Sequence, residues 1–335
     1  MPIPRYPHLR MGLPSKRALV QLWAVQRPDV VHIATEGPLG WSALNAALAL
    51  KLPVSSDFRT NFHAYSRHYG VGWLHKPIMA YLRKFHNRTF CTMVPTEALR
   101  RELDTRGFKR LKVVSRGVDT RQFNPQRRSE ALRASWGVLP DDLVVAYVGR
   151  LAAEKNLGVL EAAFAAIRQQ DFRARLVLVG DGPMRAELQA RWPDAVFAGQ
   201  RSGADLAAHY ASADLFVFPS LTETFGNVTT EAMASGLPVL AFDHAAAAEL
   251  IRNHANGVVV ACDNPAAYVR CAVGMAQDRA WCASMGLQAR ATAVDLDWDS
   301  IVARFEDVLG TGVQQARESH QAEGSIGSSV RRPAV

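Results

Sequence analysis

Short apolar runs recur along the chain, and segments with helical spacing separate them. In the first part the runs lie at 30–34, 52–56, 90–94 and 111–114. In the second part they lie at 143–148, 176–179 and 215–218. Short apolar runs that alternate with helices are typical of buried strands in parallel sheets. The pattern predicts an α/β fold.

A polar segment at 124–129 separates the two alternating parts. We therefore predict a first domain over residues 1–125 and a second over 126–310. From Gly312 the sequence is polar and rich in Gly and Ser, a composition that does not bury enough apolar surface to fold alone. Residues 311–335 are predicted to form a disordered tail.

The stretch 215–241 carries the strongest chemical signal. An apolar run ends at Pro219, a polar loop with Glu223 follows, and a helix containing Glu231 begins near Gly226. A strand, a loop and a helix start in this order expose backbone amides that bind an anion such as phosphate. Carboxylates repel phosphate, so the two glutamates would bind hydroxyl groups. Phosphate and hydroxyls together indicate a sugar nucleotide.

Charge is divided unevenly along the chain. Residues 1–135 hold 23 Lys and Arg against 8 Asp and Glu, whereas the remainder holds 16 against 23. A basic half suits nucleic acid, an anionic membrane or a phosphorylated ligand. No nucleic-acid recognition motif accompanies the charge, so no nucleic-acid partner is expected.

The segment 73–88 has two interpretations. Ile78, Leu82 and Phe85 share a helical face flanked by basic side chains. Such a helix can lie on an anionic bilayer, or it can be a core helix with a solvated basic edge. Because no apolar run reaches the roughly 18 residues of a membrane span, we expect a cytoplasmic protein, with peripheral binding to the inner face of the membrane as an option.

Five motifs, in this order, resemble the retaining glycosyltransferases of family four. They are SRGVDTRQFNP (115–125), VGRLAAEKN (148–156), LVGDGP (178–183), YASADLFVFPS (210–220) and ETFGNVTTEAMASGLPV (223–239). The resemblance implies the GT-B fold of two facing Rossmann-like domains. Within the family the chain is most similar to bacterial GDP-mannose-dependent α-mannosyltransferases. The resemblance implies transfer of a hexose, with mannose favoured, from a nucleotide diphosphate to a lipid or glycan acceptor.

The resemblance also assigns residues. Arg150 and Lys155 would hold the diphosphate, Glu223 would lie by the donor sugar as a catalytic candidate, and Glu231 would bind the ribose. The other donor-binding candidates are Gly180, Arg201, Phe225, Gly226, Asn227 and Val228. Two alternatives stay open: surface salt bridges of Arg150 and Lys155 with Glu154 or Asp181, and a dipole-favoured acid in a first helical turn for Glu231. No metal and no cofactor besides the nucleotide sugar, with GDP-mannose favoured, are expected; a DxD string at Asp295–Asp297 is interpreted as a solvated loop.

Two features depart from the family pattern. The first domain usually has a histidine where this chain has Arg59, so Arg59 or the nearby His63 is the catalytic candidate there. The usual first strand and Gly-rich loop are absent before Val30, so we expect an incomplete N-terminal domain and weak or no activity. The alternatives are an epimerase-like or phosphorylase-like enzyme and a truncated, inactive sugar-nucleotide-binding protein.

Overall fold

A computed structural model describes residues 2–3, 6–10, 12–59 and 75–329. The chain divides into two compact units: Met1–Ser115 with Val302–Val335, and Arg116–Ile301. Each unit contains a parallel sheet, which confirms the predicted α/β class.

The first unit has a four-stranded parallel sheet in the order β3-β4-β5-β6. Its strands are β3 Val31–Ile33, β4 Val54–Asp57, β5 Cys91–Val94 and β6 Leu111–Val113. A separate antiparallel pair comes before it: β1 Pro2–Ile3 and β2 Tyr6–Arg10. The helices are α1 Lys16–Val25, α2 Pro38–Ala49, α3 His75–His86 and α4 Glu97–Thr105.

The basic helix α3 is a core helix. Leu82 and Phe85 are 1% and 0% exposed, and Ile78 packs against the same cores. Its apolar face is therefore used inside the unit, which favours the second of the two interpretations of segment 73–88. Lys76, Arg83 and Lys84 remain exposed along its edge.

The second unit has a six-stranded parallel sheet in the order β12-β11-β10-β7-β8-β9. Its strands are β7 Val144–Val148, β8 Arg175–Val179, β9 Val196–Gly199, β10 Leu215–Phe218, β11 Val239–Phe242 and β12 Gly257–Val260. Its helices are α5 Glu130–Ser135, α6 Leu157–Gln170, α7 Arg185–Arg191, α8 Gly203–Ala211, α9 Asn227–Ala234, α10 Ala245–Leu250, α11 Pro265–Gln277 and α12 Arg279–Val294. The strand order reverses between β7 and β10, and such a switch point is where open α/β sheets bind ligands.

The segment after Ser115 belongs to the second unit, so the division lies earlier than the break predicted after residue 125. Arg290 on α12 explains this, because its guanidinium donates to the carbonyls of Thr120, Phe123 and Ala234 at 3.0, 2.8 and 2.7 Å. Three carbonyl bonds to one cation hold the segment against α12 and the end of α9.

The prediction of a disordered tail is wrong for the residues that the structure describes. The last helix, α13, runs over Trp298–Ser329. Phe305 meets the ring of His32 edge-on at 4.9 Å, and Arg317 lies 3.4 Å from the Asp29 carboxylate. A Cβ added at Gly312 would come within 2.1 Å of the Phe90 ring. The glycine that suggested disorder thus permits close packing on the first unit.

Candidate functional site

The loops after β7 and β10 meet beside the switch point of the second sheet. In the β10 loop, Gly226 has φ +91° and is the N-cap residue of α9. Only glycine adopts this backbone conformation readily. The first amides of α9, at Asn227 and Val228, have no acceptor within the helix and present the positive end of its dipole. The predicted anion site therefore has the expected local structure.

The Glu223 carboxylate lies between a cation and a hydroxyl. Lys155 Nζ forms an ion pair with Glu223 Oε1, and Ser220 Oγ donates to the same oxygen at 2.8 Å. The side chains of Lys155 and Glu223 are only 11% and 19% exposed. His244 Nε2 lies 3.1 Å from the Glu223 carbonyl oxygen. The structure thus brings together two residues that the sequence assigned to different parts of the donor.

Two further hydrogen bonds join the loop that carries Lys155 to the loop that carries Glu223. Thr222 Oγ1 donates to the Glu154 carbonyl at 3.1 Å, and Asn156 Nδ2 donates to the Pro219 carbonyl at 3.3 Å. The Phe225 carbonyl accepts from the Ala246 amide at 2.7 Å. These bonds fix the backbone on both sides of the ion pair.

Arg150 lies at the same end of the sheet and is 42% exposed. Its guanidinium donates to the buried Glu154 carboxylate at 3.2 Å, one of the two salt bridges that the sequence left open. Lys155 instead pairs with Glu223, a partner that the sequence did not suggest.

Gly180 follows β8, next to Gly149 after β7. A Cβ added at Gly180 would lie 2.0 Å from the Gly149 oxygen, and its φ is +133°. Both the contact and the backbone conformation require glycine there. The two strand ends therefore approach closely beside the loop that carries Lys155.

Glu231 lies in the second turn of α9 and is largely buried. Tyr210 Oη donates to Glu231 Oε2 at 2.9 Å. Burial raises the pKa of the Glu231 carboxyl, and the Tyr210 hydrogen bond opposes that rise. We did not single out Tyr210 from the sequence, although it is the first residue of the YASAD motif.

The Arg201 side chain is bound by groups that are close to it in the sequence. Its guanidinium donates to the Ala198 carbonyl at 2.9 Å and to Asp205 at 3.1 Å. Within the described residues, no hydrogen bond or ion pair joins it to another candidate residue. The role assigned to Arg201 stays a prediction.

In the first unit, the carboxyl ends of β3 and β4 carry charged groups. Arg59 Nε donates to Asp57 Oδ2 at 2.6 Å, and the arginine side chain is 49% exposed. Glu36 is 7% exposed, and burial together with the Asp57 charge raises the pKa of its carboxyl. Glu36 was not singled out from the sequence. His63 lies outside the described residues.

Metal binding and membrane crossing were considered for the described ranges. No group of three or more His, Cys, Asp or Glu residues is placed to hold a metal ion there. None of the helices in those ranges is long and apolar enough to cross a membrane.

Asp297 Oδ1 accepts from the Ser300 amide at 2.8 Å, so half of the DxD string caps α13.

Comparison with known proteins identifies the family. The Glycosyltransferase Family 4 model matches residues 1–122, and the model for Glycosyl transferases group 1 matches residues 142–278. A GDP-mannose-dependent alpha-mannosyltransferase of Mycolicibacterium smegmatis is 36% identical over 92% of this chain and 80% of its own. The chain belongs to glycosyltransferase family four.

Two further relatives are also named as transferases. A GDP-mannose-dependent alpha-mannosyltransferase of Mycobacterium tuberculosis is 39% identical over 77% of this chain, which spans 66% of that protein. The sulfoquinovosyl transferase SQD2 of Arabidopsis thaliana is 30% identical over 91% of this chain, which spans 61% of that protein. These relatives are transferases, so the epimerase-like and binding-protein alternatives are not favoured.

Solved structures support the fold. Anabaena HepE in complex with UDP matches with a TM-score of 0.76 at 22% identity, over 88% of this chain and 82% of that one. The chain therefore has the fold of GT-B glycosyltransferases.

Proposed function

We propose that this family-four member transfers a hexose, with mannose favoured, from a nucleoside diphosphate sugar to a lipid or glycan acceptor with retention at the anomeric carbon. The observation that carries the proposal is the Lys155–Glu223 ion pair at the start of α9, beside the switch point of the sheet. A cation and a carboxylate therefore lie close to helix amides that have no acceptor within the helix.

Cleavage of the sugar–phosphate bond leaves a diphosphate that gains negative charge. In our proposal Lys155 and Arg150 offset that charge, while the first amides of α9 donate to the phosphate oxygens. Arg150 supplies a planar fork and Lys155 a point charge, so the two cations have different roles.

Diphosphate binding would also change the partner of Lys155. In the structure its ammonium is paired with Glu223. A phosphate oxygen that takes this ammonium leaves the carboxylate able to accept hydrogen bonds from the sugar hydroxyls. Glu231, in the next turn, accepts from the ribose hydroxyls, and Gly180 and Arg201 lie towards the base.

The names of two relatives favour GDP-mannose as donor. On the acceptor side, the exposed basic edge of α3 suits an anionic headgroup and peripheral binding at a membrane surface by charge alone, because its apolar face is buried. The Asp57–Arg59 pair lies at strand ends of the same unit. Arg59 can stabilise charge there but cannot act as a base at neutral pH.

Thermal unfolding with GDP-mannose, UDP-glucose and UDP-sulfoquinovose tests the donor. The cognate donor raises the Tm by mass action, and the other two raise it less. The Lys155→Ala variant should show a smaller shift, whereas Lys109→Ala, an exposed lysine of the first unit, should keep it. No shift with any donor, and no sugar transfer from them, would reject the proposal.

A further inference from the structure

The hydrogen bond between Tyr210 and Glu231 joins two helices of the second unit. Tyr210 lies in the last turn of α8 and is 0% exposed, and its hydroxyl is 2.9 Å from Glu231 Oε2. Within the described residues, the other carboxylate oxygen has no hydrogen-bond partner. One oxygen of Glu231 is thus fixed from inside the protein.

The tyrosine ring is held as firmly as its hydroxyl. Its ring centroid lies 5.8 Å from that of Phe123, edge-on, and 5.6 Å from that of Phe216. Phe216 belongs to the central strand β10, and the Phe123 carbonyl is held by Arg290. A ring packed on two sides has one position, so the hydroxyl is preorganised for its partner.

In the hydrogen bond between Tyr210 and Glu231, the phenol is the donor and the carboxylate is the acceptor. Burial raises the pKa of the Tyr210 phenol well above its usual value, so the phenol is neutral and donates. An ionised carboxylate is the better acceptor, and hydrogen bonding to a charged form favours that form. The Tyr210 hydrogen bond therefore opposes the rise in the pKa of the Glu231 carboxyl that burial causes.

We propose that Tyr210 is a positioning residue for nucleotide recognition. Its hydroxyl fixes Glu231 Oε2, so that Oε1 accepts from the ribose 2′- and 3′-hydroxyls. The inference rests on the ribose-binding role of Glu231 in the proposed function. It adds that recognition of the diol depends on a residue that does not contact the nucleotide.

The consequence for pH follows from the causes of the Glu231 shift. Tyr210→Phe removes the hydrogen bond that lowers the pKa and leaves the burial that raises it, so the pKa of Glu231 rises further. The carboxyl of the variant then takes up its proton at a higher pH than that of the wild type, and a protonated carboxyl is a poorer acceptor for two hydroxyls. The variant should regain affinity as the pH is raised.

The matched control is Tyr268→Phe. Tyr268 is also 0% exposed and lies in the same unit, but its hydroxyl donates to the Leu240 carbonyl at 2.9 Å. This variant loses a buried phenol hydroxyl without touching Glu231. Any effect of Tyr210→Phe that Tyr268→Phe shares is structural.

Calorimetric titration of the full chain with GDP and with 2′,3′-dideoxy-GDP tests the inference. We expect Tyr210→Phe to weaken GDP binding about tenfold, less at higher pH, and to leave the dideoxy nucleotide unaffected. Tyr268→Phe should bind both nucleotides like the wild type. Equal weakening for both nucleotides, or none for GDP, would overturn the inference.

Two further measurements separate the possible failures. In a Glu231→Ala background, which has no side-chain acceptor for Tyr210, Tyr210→Phe should not weaken GDP binding further, and an independent loss would overturn the inference. If Tyr210→Phe does not fold, Glu231→Ala must lose the wild-type preference for GDP over the dideoxy form, and a retained preference would overturn the inference. A wild-type chain that binds neither GDP nor UDP refutes the proposed function itself, and with it this inference.

Discussion

The ammonium of Lys155 and the carboxylate of Glu223 form an ion pair between residues that are 68 positions apart. The pair joins the loop after β7 to the loop after β10, at the point where the strand order reverses. In the proposed reaction each partner has a second task, so removing either one should have its own kinetic signature.

Lys155→Ala removes the buried cation, so the Glu223 carboxylate loses its ion-pair partner. Turnover should fall by about 100-fold or more, because the leaving diphosphate loses a preorganised positive charge. The rate of sugar transfer at saturating donor measures this. Retention of near wild-type turnover would contradict the role of Lys155, and Lys109→Ala is the control for general loss of charge.

Glu223→Gln should separate binding from chemistry. The neutral amide no longer neutralises Lys155, so the ammonium is free to pair with phosphate, and GDP affinity should hold or improve while turnover falls. Comparing the GDP dissociation constant with kcat tests this. Glu187→Gln, at a carboxylate that is 61% exposed on α7, is the control. A parallel loss of GDP affinity and kcat would speak against the separation.

Gly180→Ala tests the close approach of β7 and β8. The new Cβ would meet the Gly149 oxygen, and the φ of +133° is strained for alanine. We expect a loss of about 1–3 kcal/mol or more in the free energy of unfolding, measured with urea. Gly158→Ala in α6, where an added Cβ meets nothing within 4 Å, should instead be stabilising by about 0.5–1 kcal/mol. Equal effects would argue against the predicted contact.

His86 should make the protein sensitive to acid. Burial lowers the pKa of His86 from 6.5 to about 4, so the unfolded chain takes up this proton first as pH falls. The stabilising effect of a neutral His86 is full above pH 6.5 and is lost as pH falls towards 4, by about 3 kcal/mol in total. His86→Gln should flatten the unfolding free energy over this range, whereas His254→Gln, at an exposed site, should not. An unchanged pH profile for His86→Gln would refute the assignment.

The sequence predicted the strands better than the contacts between distant residues. The runs at 143–148 and 176–179 became β7 and β8 because buried parallel strands are apolar throughout. Sequence spacing does not show that β10 returns to the other side of β7, and this return brings Glu223 to Lys155. Tyr210 was missed for the same reason, since its partner lies 21 positions away.

The errors have physical causes as well. Composition suggested disorder after residue 311, but Gly312 is small because Phe90 packs against it. The polar segment at 124–129 resembled a linker, yet Arg290 binds the neighbouring carbonyls of Thr120 and Phe123. In both cases a residue far along the chain decides the structure, and no local pattern records it.

The path of α13 has a consequence for biosynthesis. The first unit consists of residues from both ends of the chain, since Val302–Val335 returns to Met1–Ser115. On the ribosome, the N-terminal part emerges long before the helix that covers it, while Arg116–Ile301 is continuous and can fold as soon as it is made. The unit that is translated first is therefore the one that is completed last.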